Sequence, residues 1–176
     1  MLAAFLSAPA FAANRDCVLT PADKMTNAAL SFEDLDQRGT VPSTTTALNN
    51  RGCRKQAVEA MEHYLINGPV RTDREQRIIL WHMAQSLALA GQESEAARLM
   101  TATRTPDLTN DRFDWDSYVS AGSAFLIKGR AAFDKAAATL ASSVRPSDVV
   151  NSGVVAAMGR CWKKQYSVAY DATCGN

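Results

Sequence analysis

The sequence predicts an all-α protein built from antiparallel helix hairpins. Two observations carry this prediction: apolar residues recur at helical spacing between capping residues, and runs that alternate β-branched with polar residues are rare. A length of 176 residues suits one domain with a buried core, and 47% hydrophobic against 21% charged residues is typical of globular proteins. No interior segment has the composition of a linker, so we expect one helical domain over residues 13–176.

The first helix is predicted to begin after Thr20, because a threonine followed by proline supplies an N-cap and a proline at the first helical position. Gly39 can end the segment. The residues that share its apolar face are Met25, Ala28, Ala29, Phe32 and Leu35. This spacing predicts a helix with one side packed on the core.

A second helix start is the capping box Thr72-x-x-Glu75, in which each side chain bonds the other residue's backbone N–H. The apolar residues that follow it are Ile78, Ile79, Trp81, Met83, Ala84 and Leu87. Further helices are predicted over 93–103, 114–128, 130–142 and 147–160. The connection 104–113 is polar, with proline and asparagine supplying turn chemistry.

Three glycines at nearly equal spacing indicate an internal repeat. Gly52, Gly91 and Gly129 are 39 and 38 residues apart. Apolar residues stand four positions before them, at Leu48, Leu87 and Phe125. In the first helix of each predicted hairpin, the positions where the two helices approach closely are Thr44-Thr45, Met83-Ala84 and Ala121-Gly122. Five residues after the glycines stand Ala57, Ala96 and Asp134, of which the aspartate departs from the pattern.

This pattern resembles the tetratricopeptide repeat (TPR), W-x₂-L-G-x₂-Y…A-x₃-F…P, over about residues 40–146. The resemblance implies hairpins stacked as a short TPR-like solenoid, whose first helices line a concave groove. It also implies a binding scaffold rather than a catalyst. An irregular helical bundle is the alternative arrangement.

The resemblance places seven residues in or beside that groove. Those facing it are Asn49, Asn50, Trp81, Gln85 and Ser123, and those near its edge are His82 and Asp116. The family's Lys/Asn clamp on a terminal carboxylate does not carry over, because no lysine occupies a matching first-helix position. Other interpretations stay open: Trp81 as a core residue, Gln85 as a solvated one and His82 as a partly buried, hydrogen-bonded histidine.

The first twelve residues, MLAAFLSAPAFA, have the pattern of a signal peptide. An apolar stretch leads to the small-x-small sequence Ala10-Phe11-Ala12, so cleavage is expected after Ala12. No lysine or arginine precedes the stretch, and a short buried helix is the alternative. The interpretation predicts a periplasmic or secreted protein.

Cysteine usage agrees with export, because four cysteines in an exported chain favour two disulfides. Of the three possible pairings, we expect the two local ones, Cys17–Cys53 and Cys161–Cys174. The second would staple a C-terminal cap in which Trp162 packs against the last helices. In that cap we also expect Tyr170 to pack on the last helices rather than to be displayed.

Sequence patterns for catalysis and metal binding are sparse. Glu59 and His63 lie four residues apart and share a helix face, but no third ligand follows at a recognisable spacing. The chain lacks H-E-x-x-H, G-x-S-x-G, P-loop and G-x-G-x-x-G motifs and any C-x₂-C pair. We therefore predict no metal and no cofactor.

Charge and hydropathy restrict the partners. The formal net charge is +1, which argues against a nucleic-acid partner, and no apolar run reaches the length of a membrane span. Basic and aromatic residues alternate over 160–166, a pattern that also suits anionic ligands, but we prefer the C-terminal cap.

The sequence therefore predicts an exported, non-enzymatic helical-repeat protein that mediates protein or peptide interaction in the bacterial envelope. Two alternatives stay open. One is an immunity or inhibitor protein against a cell-wall-directed toxin. The other is an envelope hydrolase whose site is assembled only in space, with two carboxylates or the Glu59–His63 pair.

Overall fold

A computed structural model describes residues 17–105 and 114–171. Within these ranges the chain forms nine α-helices and one π-helical segment, with no strand, so the all-α prediction is confirmed. The helices are α1 (Pro21–Ala28), α2 (Thr45–Asn50), α3 (Arg54–Asn67), α4 (Asp73–Leu89), α5 (Glu93–Ala102), α6 (Trp115–Leu126), α7 (Arg130–Ala141), α8 (Pro146–Arg160) and α9 (Tyr166–Tyr170), and the π-helical segment is Glu33–Arg38. The predicted signal peptide lies outside the described residues.

Both predicted helix starts are confirmed by capping boxes. At α1 the Thr20 hydroxyl accepts the Asp23 N–H at 3.1 Å, and the Asp23 carboxylate accepts the Thr20 N–H at 2.9 Å. At α4 the Thr72 hydroxyl and the Glu75 carboxylate make the same exchange. Each box satisfies backbone donors that a helix start leaves unpaired, and so fixes where the helix begins.

The predicted apolar face of the first helix is wrong. Helix α1 ends at Ala28, and Met25 is 74% exposed. The buried residue of α1 is Asn27, which donates to the Ser43 carbonyl at 2.8 Å and accepts the Ser43 hydroxyl at 2.9 Å. This buried polar pair sets the orientation of α1, and the separate π-helical segment brings Leu35 into the core.

Three helix pairs, α2–α3, α4–α5 and α6–α7, are joined by the same turn. In each turn, the residue two positions past the helix C-cap pairs its N–H with a carbonyl five residues earlier, which defines a Schellman motif. The three bonds run from Cys53 to Leu48 at 2.9 Å, from Gln92 to Leu87 at 2.9 Å and from Gly129 to Ala124 at 2.8 Å. The left-handed residue that precedes each donor is Gly52, Gly91 or Lys128.

This geometry corrects the spacing of the third unit. Lys128, with φ of 58°, is the equivalent of Gly52 and Gly91, whereas Gly129 has φ of −83°. The prediction that Gly129 continues the glycine series is therefore wrong by one residue. A one-residue offset on a helix rotates every assigned side chain by about 100°.

The corrected spacing also explains the departure at Asp134. The residue equivalent to Ala57 and Ala96 is Phe133, which is buried as they are, while Asp134 is exposed. The Phe133 ring is accommodated by Gly159 of α8, where an added Cβ would lie 3.2 Å from the ring. A glycine on the next helix thus makes room for the larger residue.

A Gly91→Ala substitution should lower the free energy of unfolding by about 1 kcal/mol, because an L side chain is strained at positive φ. No atom lies within 4 Å of the added Cβ, so the loss reports the backbone alone. The matched control is Gly153→Ala in α8, which also meets open space but has helical geometry and should stabilise by up to about 1 kcal/mol. Urea unfolding measures whether each variant is less or more stable than wild type. A Gly91→Ala variant that is more stable would contradict the assigned turn.

From α2 to α9 each helix packs on the next one along the chain, α1 packs on α3, and α9 returns to contact α4 as well as α8. Two core clusters meet at α4. One contains Ile79 together with Leu35 and Tyr64, and the other contains Trp81 together with Phe125. Helix α4 is therefore buried on two sides, and its remaining face is where the groove described below lies.

The predicted Cys17–Cys53 disulfide is confirmed. Cys161 is buried and disulfide-bonded, but Cys174, its predicted partner, lies outside the described residues. Packing of the C-terminal aromatics is confirmed: the centroid of the Trp162 ring lies 5.3 Å from that of Phe125 and 5.0 Å from that of Phe133, and Tyr170 stacks on Tyr166 at 5.5 Å. Helix α9 was not predicted.

Candidate binding groove

A groove runs along the exposed face of α4 and consists of two cavities of about 410 and 470 Å³. The cavities share three lining residues, His82, Gln85 and Tyr170. We call this surface the α4 groove. Its polar end is lined by Asp36, Thr45, Thr46, Asn49, Asn50 and Arg54. The other end, which we call the aromatic end, is lined by Phe32, Ile78, Trp81, Trp115 and Tyr118 together with the polar residues Glu33, Gln37, Arg74 and Asn151.

The centre of the groove is an Asp36–His82 pair. The Asp36 carboxylate is buried, with 1% of its side chain exposed, and its Oδ2 lies 2.8 Å from His82 Nδ1. Because an ionised carboxylate only accepts hydrogen bonds, the imidazole donates from Nδ1. The other ring nitrogen, Nε2, is then the one left to meet a ligand, since the His82 side chain is 34% exposed.

Asp36 is held in place by the first two residues of α2. The Thr45 hydroxyl lies 3.0 Å from the Leu35 carbonyl and 3.3 Å from Asp36 Oδ1, and the Thr46 hydroxyl donates to the Asp36 carbonyl. Gly39, in the left-handed conformation with φ of 64°, ends the π-helical segment beside them. The carboxylate is therefore positioned by hydrogen bonds before any ligand arrives.

The polar end joins α2, α3 and α4 through Asn49. Its Oδ1 accepts a hydrogen bond from Arg54 Nη1 at 3.1 Å and lies 3.1 Å from Ser86 Oγ, whose hydrogen is donated to the His82 carbonyl. Arg54 Nη1 also donates to the Asn49 carbonyl at 2.6 Å. The guanidinium is thus fixed at the groove wall, while Asn50 beside it is exposed.

The aromatic end is a cluster of rings. The centroid of Trp81 lies 5.8 Å from that of Trp115 and 5.2 Å from that of Tyr118. Gln85 donates to the Tyr170 hydroxyl at 3.4 Å, which ties α9 to α4. Rings packed at these distances form a rigid apolar wall.

Burial raises the pKa of the Tyr118 and Tyr166 hydroxyls, because a phenolate is poorly solvated there, and neighbouring tyrosines raise it further. The folded pKa then exceeds the unfolded value of about 10. The contribution of these two groups to the free energy of unfolding is fully present below about pH 10 and is lost as the pH rises through the folded pKa.

We therefore expect the free energy of unfolding to fall above about pH 10. Urea unfolding along an alkaline pH series, with phenolate absorbance recorded in parallel, measures this. The matched control is Tyr166→Phe, whose free energy of unfolding should fall less steeply as the pH rises. Ionisation of Tyr118 and Tyr166 near pH 10 in the folded protein would contradict the expectation.

Five of the seven residues predicted for the groove line it: Asn49, Asn50, Trp81, His82 and Gln85. Trp81 is 3% exposed and belongs to the core as well, and His82 is partly buried and hydrogen-bonded. Both alternative interpretations of these two residues are confirmed. Gln85 is half-buried and bonded to Tyr170 rather than simply solvated.

Asp116 and Ser123 lie elsewhere, in a separate cavity of about 420 Å³ between α5, α6 and α7. Asp116 accepts a hydrogen bond from Arg104 Nη2 at 2.7 Å, and Ser123 is buried against Thr101 at 2.8 Å. The offset at Lys128 explains the location of Ser123: with the corrected spacing, Gly122 rather than Ser123 is the equivalent of Gln85.

Several groove residues escaped prediction. Asp36 lies 46 residues before His82, so no local spacing connects them. Tyr118 is the equivalent of Trp81 once the third unit is shifted by one residue. An aromatic residue at both positions is a sequence signal that could have identified Tyr118. Tyr170 belongs to α9, whose five residues are too few for a periodicity argument.

The Glu59–His63 candidate is not assembled as a pair. Glu59 forms its ion pair with Lys24 of α1, and His63 Nδ1 is buried without a hydrogen-bond partner. Over 17–105 and 114–171, no group of three or more His, Cys, Asp and Glu side chains is arranged to hold a metal ion. Among the same residues, no helix combines the length and the apolar character needed to cross a bilayer.

Comparison with protein-family models, curated proteins and solved structures found no match for this chain.

Proposed function

We propose that this protein is an exported, non-enzymatic scaffold that binds a protein or peptide segment in the α4 groove. The observation that carries the proposal is the groove itself, where hydrogen-bonding groups at one end adjoin aromatic side chains at the other. Peptide-binding surfaces need both: apolar pockets contribute affinity, and a few fixed polar groups orient the ligand.

The helix order supports a short TPR-like solenoid as the scaffold. Three consecutive hairpins have the same turn geometry, and packing follows the chain from α2 to α8. In such an array the first helices of the hairpins are neighbours and leave a concave surface. Helix α9 then serves as the C-terminal cap, because it closes the array by returning to α4.

The groove chemistry suggests the kind of segment that fits. Arg54 and His82 can donate hydrogen bonds to carbonyl or carboxylate oxygens at the polar end. At the aromatic end, Ile78 and the rings can contact an apolar side chain, and Glu33 and Arg74 line the same cavity. We therefore expect a segment that presents an acidic or carbonyl-rich part next to a large apolar residue.

Export is supported by the Cys17–Cys53 disulfide, because such bonds persist in oxidising compartments. We place the protein in the periplasm or outside the cell. Expression with and without residues 1–12, followed by fractionation, tests this. Retention of both forms in the cytoplasm would contradict it.

The binding proposal is tested by panning a random peptide library on the chain and measuring the affinity of an enriched peptide for variants. His82→Ala and Asn50→Ala, both in the groove, should each weaken binding of the peptide. The larger of the two losses in affinity should be about tenfold or more. The matched control is Lys135→Ala, which lines the separate cavity and should change nothing. Failure to enrich any peptide, or equal effects of the groove and control variants, would contradict the proposal.

A second candidate is hydrolysis, favoured by one observation. A buried carboxylate that orients an imidazole towards a cavity is the arrangement of a general base and its positioning group. The hydroxyls of Thr45 and Ser86 already donate to Leu35 O and His82 O, so water would be the nucleophile. Hydrolysis of peptidoglycan or ester probes that stops in His82→Ala would support it, and no turnover by wild type would dismiss it.

A further inference from the structure

Five exposed cations converge where the α6–α7 turn meets the segment after α8. They are Lys128, Arg130, Arg160, Lys163 and Lys164, and we call them the basic patch. The Lys128 ammonium donates to the Lys164 carbonyl at 3.0 Å, and the Arg130 guanidinium lies 5.3 Å from the centre of the Trp162 ring. These two contacts hold the turns side by side.

The basic patch surrounds a cavity of about 390 Å³. Four of the cations line it, Arg130, Arg160, Lys163 and Lys164, around the edge of Trp162. The cavity is within the range of sites that hold small ligands. Its lining therefore suits an anionic group.

Acidic neighbours neutralise part of this charge and leave the basic patch positive. Asp134 pairs with Arg130 Nε at 2.8 Å, and Glu93 accepts the Tyr166 N–H at 2.7 Å. The whole chain has a net charge of only +1, so the remainder of the molecule is net negative. The positive charge is thus concentrated on one surface, and the field there is stronger than the net charge suggests.

Two observations distinguish among anionic partners. Trp162 packs edge-on against Phe125 and at a tilt against Phe133, and Arg130 lies over its ring, so the ring is already engaged and is not open for stacking on nucleic-acid bases. Ile127, next to Lys128, is 66% exposed. An exposed aliphatic side chain beside a cluster of cations is the combination that binds anionic bilayer surfaces.

We propose that the basic patch docks the protein on an anionic phospholipid surface, with lipid phosphates at the cavity and Ile127 at the acyl boundary. This contact is peripheral and does not involve a membrane span. It lies apart from the α4 groove and stands independently of the function proposed there. Docking would hold the groove near the membrane.

The test measures sedimentation of the full chain with vesicles of phosphatidylcholine alone and of one part phosphatidylglycerol to three parts phosphatidylcholine. Wild type should bind only the anionic vesicles, and salt should weaken binding. Each cation near the surface strengthens binding about fivefold, so Lys163→Ala/Lys164→Ala should lose about 25-fold. The matched control, Lys55→Ala/Lys135→Ala, removes two exposed lysines elsewhere and should lose much less.

Equal binding to both vesicle types, or equal losses in the two double variants, would overturn the proposal. The proposal would also be overturned if the chain bound single-stranded DNA or heparin more tightly than the anionic vesicles, with the same dependence on Lys163 and Lys164. The ligand of the basic patch would then be a soluble polyanion rather than a membrane. Thermal unfolding of each variant confirms that a loss of binding is not a loss of fold. Ile127→Ser should weaken vesicle binding and leave heparin binding unchanged.

Discussion

Replacement of both Cys17 and Cys53 by alanine should lower the free energy of unfolding by about 4 kcal/mol. The bond joins residues 36 apart, so it removes a large loop entropy from the unfolded chain. It also anchors the segment before α1 to the start of α3, next to the cluster that contains Leu35. The loss should be visible as a large fall in the urea midpoint.

The matched control for the disulfide is Val18→Ala, because Val18 is adjacent to Cys17 but 66% exposed. This change should stay within about 0.5 kcal/mol of wild type. A double-alanine variant within about 1 kcal/mol of wild type would show that the disulfide contributes little to folding.

The second large effect is expected at Phe125. Its ring lies in the core between α6, α7 and the C-terminal segment, with centroids 6.2 Å from Phe133, 5.3 Å from Trp162 and 6.1 Å from Tyr166. Phe125→Ala should lower the free energy of unfolding by about 3–5 kcal/mol, because it leaves a cavity among these rings.

The nearby control is Ile127→Ala, which truncates an aliphatic side chain that is 66% exposed and should cost less than about 0.5 kcal/mol. Near-UV circular dichroism follows the aromatic cluster separately from helix content. A Phe125→Ala variant with unchanged stability would mean that the C-terminal segment does not pack on α6 as described.

Much of the fold was predictable, because local signals determine where most helices begin and end. The capping boxes at Thr20 and Thr72 are read directly from the chain, and α5 to α8 begin and end within about two residues of prediction. The end of α1 was not predictable, since the buried bond between Asn27 and Ser43 spans 16 residues. Periodicity alone favoured Met25 as the buried residue.

The groove was only partly predictable. Residues on α2 and α4 follow from the repeat, because Gly52 and Gly91 mark equivalent turns. The third unit was misplaced because Lys128 adopts a left-handed conformation that is uncommon for a lysine, so no glycine marks the turn. Asp36 could not be found at all, since only tertiary packing brings its carboxylate to His82.

The central claim, that the α4 groove is the binding surface, is tested most directly by NMR. The isotope-labelled chain is titrated with a peptide enriched on it, and backbone amide shifts are followed. The account predicts the largest changes at residues 45–50 and 82–89. Largest changes at 123–139, around the separate cavity, would contradict it.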